Sequence, residues 1–109
     1  MRNDMEQEQL LFEQIRNEMV SLYRDVTIGV MMSSPAIKYK GKVFTFLSKN
    51  NRMVFKLGKT FIPDEQKFET YPFNPFKKKA PLAGWFEVPY SEHHLWKDLA
   101  GEALTLIES

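Results

Sequence analysis

Ile37-Lys38-Tyr39-Lys40-Gly41-Lys42-Val43-Phe44-Thr45-Phe46-Leu47-Ser48-Lys49-Asn50-Asn51-Arg52-Met53-Val54-Phe55-Lys56-Leu57 is the stretch on which the fold turns. Ile37 to Lys40 alternates apolar and basic, the period of a half-buried strand. Gly41 permits a tight turn. Val43 to Leu47 is apolar on both faces apart from Thr45, as expected of a central strand covered on both sides. Asn50-Asn51 tolerates positive φ at a hairpin turn. The return strand sends Met53, Phe55 and Leu57 one way and Arg52, Val54 and Lys56 the other. These segments predict an antiparallel meander.

Upstream, Val26-Thr27-Ile28-Gly29-Val30-Met31-Met32 reads as a short strand or extended lead-in broken by Ser33-Ser34-Pro35. Before it, Leu11, Ile15, Met19, Leu22 and Val26, widened by Phe12 and Tyr23, recur at helical spacing, with Asn3 or Asp4 as the cap. Downstream, Pro72, Pro75 and Pro81 forbid a long regular element, although Pro63 to Phe68 suits one helical turn. The aromatics Phe61, Phe68, Tyr71, Phe73 and Phe76 are expected to cover an edge of the core. Gly84 to Val88 predicts a last strand stopped by Pro89. Ser91 then caps a closing helix whose apolar face is Leu95, Leu99, Ala103 and Leu106, flanked by Trp96, Ala100, Leu104 and Ile107. The class is α+β: an N-terminal helix, an antiparallel β meander, and a C-terminal helix packed on one side of the sheet.

The chain has 109 residues, enough for one domain spanning 1–109 and one core. It has no cysteine, which excludes a disulfide framework, a thiolate metal site and a cysteine nucleophile. No apolar run approaches the roughly 18 residues of a membrane span, and no signal-peptide pattern opens the chain, so a soluble, cytoplasmic protein with no membrane association is expected. The formal charge of +1 conceals a polarised layout: residues 26–63 carry seven Lys or Arg and no acid.

Met31-Met32-Ser33-Ser34-Pro35-Ala36-Ile37-Lys38-Tyr39-Lys40-Gly41-Lys42-Val43-Phe44, followed by Met53-Val54-Phe55-Lys56-Leu57, resembles the N-terminal domain of the TfoX (Sxy) family and its MmcQ/YjbR-like relatives. Trp85-Phe86-Glu87-Val88-Pro89, with Trp96 and Ala100 to Leu104, is similar to that family's terminal strand and last helix. The likeness spans about residues 26–107. It implies an α+β domain with no known catalytic residues and no cofactor. Met32-Ser33-Ser34-Pro35 replaces the glycine pair frequent in the family. TfoX members that regulate competence carry a second domain, so that role is not carried over.

Lys38, Lys40 and Lys42, joined by Arg52 and Lys56, form a candidate anion or nucleic-acid surface if strand alternation holds through Gly41. Lysines on solvated sheet edges explain the same letters as protection against aggregation. Lys77-Lys78-Lys79 beside Phe73 and Phe76 can stack on single strands, or be a solvated loop whose aromatics turn inward. His93-His94 point about 100° apart on a helix and lack metal-ligand spacing. No serine sits in a nucleophile elbow, and Glu87 between Phe86 and Val88 reads as a partly enclosed acid paired with a nearby lysine of the basic sheet. Tyr39 and Trp85 are candidate walls of an apolar pocket between the sheet and the Phe-rich loop. The expected function is a non-enzymatic binding or interaction module with no cofactor or metal, its partner a protein or a second copy of itself. The alternatives are a nucleic-acid-associated accessory protein and a small-molecule binder.

Overall fold

The computed structural model describes residues 6–62, 67–75 and 79–109. The proposed cap at Asn3 or Asp4, most of the suggested turn at residues 63–66, and Phe76, Lys77 and Lys78 lie outside them. Helix α1 (Gln7–Leu22) buries Phe12, Ile15 and Met19. Burying each of these is worth about 1.5–3 kcal/mol. The helix ends because Tyr23 adopts extended angles, φ −122° and ψ 124°, while its N–H still bonds Met19 O. The 3.6-residue period stops there, so the expected stripe is corrected at its end: Leu22 is 65% exposed, and Val26 belongs to the first strand.

Six strands form one antiparallel sheet: β1 (Val26–Met31), β2 (Ser34–Tyr39), β3 (Lys42–Leu47), β4 (Met53–Lys56), β5 (Tyr71–Pro72) and β6 (Trp85–Val88). Their spatial order is β1-β2-β3-β4-β6-β5. The first two hairpins close through two-residue turns. Met32 and Ser33 sit at φ 51° and 67° between Met31 and Ser34; Lys40 and Gly41 sit at 49° and 84° between Tyr39 and Lys42. Positive φ at both central positions matches the twist of paired strands. Gly41 was readable from sequence, whereas Met32-Ser33 was not, since neither residue favours that region. The third hairpin is longer. Ser48 Oγ accepts from the N–H groups of Asn50 and Arg52, both at 3.3 Å, and Asn51 takes φ 60°.

Cross-strand partners share a face of the sheet, and the register divides the side chains into two sets. Both helices lie on one face, the helix side. There Ile37, Phe44, Met53, Phe55, Leu57 and Val88 pack with α1 and with α2 (Trp96–Glu108). On the other, open side, Ala36, Phe46, Val54, Phe73 and Trp85 form a smaller cluster. A β-bulge in β3 reconciles the two: Ile37 faces Thr45 while Lys38 faces Val43, leaving Phe44 as the extra residue. Phe44 and Thr45 therefore both serve the helix side, and Thr45 satisfies its hydroxyl on Val54 O at 2.7 Å.

The C-terminal helix starts later than the sequence suggested. Residues Tyr90–Leu95 form a 3₁₀ segment, with Glu92 at φ −110°, ψ 28°. Ser91 does not cap; its hydroxyl donates to Glu69 Oε1 at 3.3 Å. Trp96, fully buried, anchors the start of α2 by donating Nε1–H to Val88 O at 3.2 Å. Leu106, predicted inside, is 46% exposed, and Leu104 is buried instead. No helix among the described residues is long and apolar enough to cross a membrane.

Candidate functional site

The five cations singled out by sequence do not share a face. Because Lys40-Gly41 is a two-residue turn, Lys42 stands opposite Tyr39, which itself faces Val26 of the helix-side core. Lys42 is thus on the side opposite Lys38, correcting the expected alternation through Gly41. Lys40 occupies the turn, its Nζ 5.4 Å from the centre of the Tyr39 ring. Lys38 lays its stem across Gly29, where an added Cβ would come within 2.6 Å of Lys38 Cγ. Lys56 pairs with Trp85 and holds its Nζ 5.9 Å from that ring. Arg52 lies 3.5 Å from Glu87 Oε1 and stacks 4.8 Å from the Tyr71 ring centre. Lys38, opposite Val43, Lys56, opposite Trp85, and Arg52, beside Glu87, stand on the open side, whereas Lys42 borders a hollow at the C-terminal end of α2 with Gly58, Leu106 and Ile107.

The expected Tyr39–Trp85 pocket is corrected for the same reason. Tyr39 packs against the helix-side cluster and Trp85 belongs to the open-side one, so the sheet separates them. A cavity does lie between the sheet and the Phe-rich segment, at the other end of the strands. It has a volume of about 360 Å³, within the range of small-ligand sites. Three connections frame it: the β1–β2 turn with Met32, the β3–β4 loop with Ser48, Lys49 and Asn50, and residues 73–75. Phe46 and Phe73, in edge-to-face contact at 5.2 Å, form its apolar wall.

Its polar groups come from β2 and β6. Ser34, opposite Met31, is 5% exposed, and its hydroxyl makes no hydrogen bond among the described residues. Glu87, opposite Val54 and Tyr71, is 8% exposed. Its carboxylate has the Arg52 guanidinium as ion-pair partner. A carboxylate can accept about four hydrogen bonds, so acceptor capacity remains, facing the cavity. Sequence anticipated Glu87 as an enclosed acid with a cationic partner, the partner being an arginine and not a sheet lysine. Ser34 was missed because nothing local distinguishes a buried serine from a turn serine.

A separate polar network pins the segment before β5 to the 3₁₀ turn. Glu92 Oε2 accepts from Glu69 N–H at 2.7 Å, and Glu69 accepts from Ser91 and from the Tyr71 hydroxyl. The bond to Glu69 holds the Tyr71 phenol above its ordinary range. His93 stacks on Tyr90 at 4.4 Å, and His94 lies 3.9 Å from Glu92. Among the described residues no group of three or more His, Cys, Asp or Glu is placed to hold a metal ion. No family model, curated protein or solved structure matches the chain.

Proposed function

We propose that this chain is a non-enzymatic binding module of the TfoX N-terminal kind, and that it holds a small amine-bearing polar molecule in the cavity beside Glu87. One observation carries the reading: Ser34 and Glu87, each less than a tenth exposed, line the same half-open hollow and keep hydrogen-bonding capacity towards it. Among the described residues no buried polar side-chain atom lacks a partner, so water reaches these groups, and a ligand that supplies donors takes the place of that water. An ammonium suits the carboxylate, Phe46 and Phe73 suit an aliphatic or flat body, and Lys49 at the rim suits a carboxylate at the far end. Amino-acid-like zwitterions combine the three. Among the described residues the lining is Ser, Asn, Lys, Phe, Met and Pro beside Glu87. Nucleic-acid docking across the sheet draws less support, since Lys42 stands on the face opposite Lys38 and Lys56, and Arg52 is engaged by Glu87.

Thermal unfolding with a panel of amino acids, simple amines and polyols tests the proposal. A ligand at a hundred times its dissociation constant adds about 2.7 kcal/mol, a rise of about 10 °C for a domain of this size. The rise is expected to vanish in Glu87→Gln and to shrink in Ser34→Ala, each compared with its own ligand-free melt. A panel that leaves the melt unmoved, or a shift that survives both substitutions, overturns the reading.

A further inference from the structure

The two edges of the sheet are built differently. β5 is two residues long and ends in Pro72, which offers no N–H. Short, proline-bearing edges resist pairing. β1 is six residues long, Val26 to Met31, and contains neither charge nor proline. Between Asp25 and Lys38 there is no charged residue at all. Ile28 and Val30 on this edge are 57% and 69% exposed. Ile28 faces Ile37 of the helix-side core, so both side chains stand on that side and remain more than half exposed.

Register settles which backbone groups face outward. Val30 stands opposite Pro35, which cannot donate, so Val30–Pro35 is a non-hydrogen-bonded pair of the β1–β2 ladder. Narrow and wide pairs alternate in antiparallel ladders. The N–H and C=O of Val30 and of Ile28, two residues away, therefore point away from β2. Neither residue makes a backbone bond outside its own ladder among the described residues, whereas Val26 N–H is occupied by Tyr23 O at 3.2 Å.

We infer that β1 pairs with β1 of a second copy of this chain, antiparallel about a two-fold axis through Gly29, to give one continuous sheet with all helices on the same side. Gly29 at the axis places Ile28 opposite Val30 of the second copy, twice over, and satisfies four outward N–H and C=O pairs. The paired segments themselves carry no charge, but the Lys38 stem crossing Gly29 in each copy brings two ammonium groups towards the axis on the open side, so the association is expected to strengthen with salt. A charged peptide would gain nothing from it. The pairing is isologous and uses the only long edge, so it stops at two.

Sedimentation velocity over a concentration series reads the outcome. The mass is expected to rise from 12.8 kDa towards twice that value, with a midpoint of about 0.1 mM, as suits a small interface. Val30→Lys and Ile28→Asp, both at exposed positions that leave the melt in place, are each expected to remain monomeric. Mixed in equal amounts they are expected to associate again, because the register sets the new ammonium opposite the new carboxylate. A wild-type chain that stays monomeric at millimolar concentration, species that grow beyond the dimer, a dimer indifferent to both substitutions, or a mixture that does not recover each overturns the inference.

Discussion

Single backbone angles decide much of this molecule. Met32 and Ser33 occupy the left-handed region without glycine or asparagine to relax it, at about 1 kcal/mol or more per residue. Ser33→Gly, in the turn beside the cavity, is expected to stabilise the domain by about 0.5–1 kcal/mol after the glycine's extra unfolded-state entropy is subtracted, measured by urea denaturation. Gly84 presents the opposite case. It sits at φ +85°, an added Cβ would stand 3.2 Å from the Gly58 carbonyl carbon, and its own oxygen accepts from Leu57 and Gly58. Gly84→Ala is expected to cost about 2 kcal/mol in the same assay, from left-handed strain plus backbone crowding.

Elements meet through a few specific ties. Lys97 Nζ on α2 lies 2.9 Å from Glu18 Oε1 on α1. The bond to Glu18 raises the Lys97 ammonium above its ordinary value of 10.5. A cation whose folded pKa is raised contributes its stability in full below the unfolded value and loses it as pH climbs through the folded one. The wild type and Lys97→Gln are therefore expected to differ in melting temperature near neutrality and to converge in strongly alkaline buffer. Exposed pairs contribute little, so the difference is small and shrinks with salt. The elements themselves were largely legible: alternation gave β2 and β4, the apolar run gave β3, and the helical stripes gave both helices. What escaped depended on tertiary partners. β5 is two residues held only by β6, and Ser91 bonds Glu69 twenty-two residues away instead of capping. The expected alternation failed at Lys42 because a two-residue turn reverses the face on which it emerges, and counting letters through Gly41 cannot register that. Glu87 was legible as an enclosed acid because its neighbours Phe86 and Val88 are both apolar, but the cavity it faces is assembled from three separate connections.

For the whole molecule, the sheet order sets the sequence of folding events. β1 to β4 are neighbours in chain and in space, joined by hairpins of two to five residues, whereas β4 meets β6 only after an excursion from Lys56 to Trp85. Short loops close at lower entropic cost than long ones. Refolding is expected to slow when the inner hairpins are weakened, as by Phe46→Ala, while Val88→Ala chiefly accelerates unfolding; stopped-flow chevrons distinguish the two. The same excursion carries Phe73, a wall of the cavity, and its described residues are tied to β6, to the Phe46 ring, to Arg52 and, through Glu69, to the 3₁₀ turn. A two-residue strand at the sheet's margin has far fewer ladder bonds to break than one in its middle, so amide protons of β5 are expected to trade with deuterium sooner than those of β3.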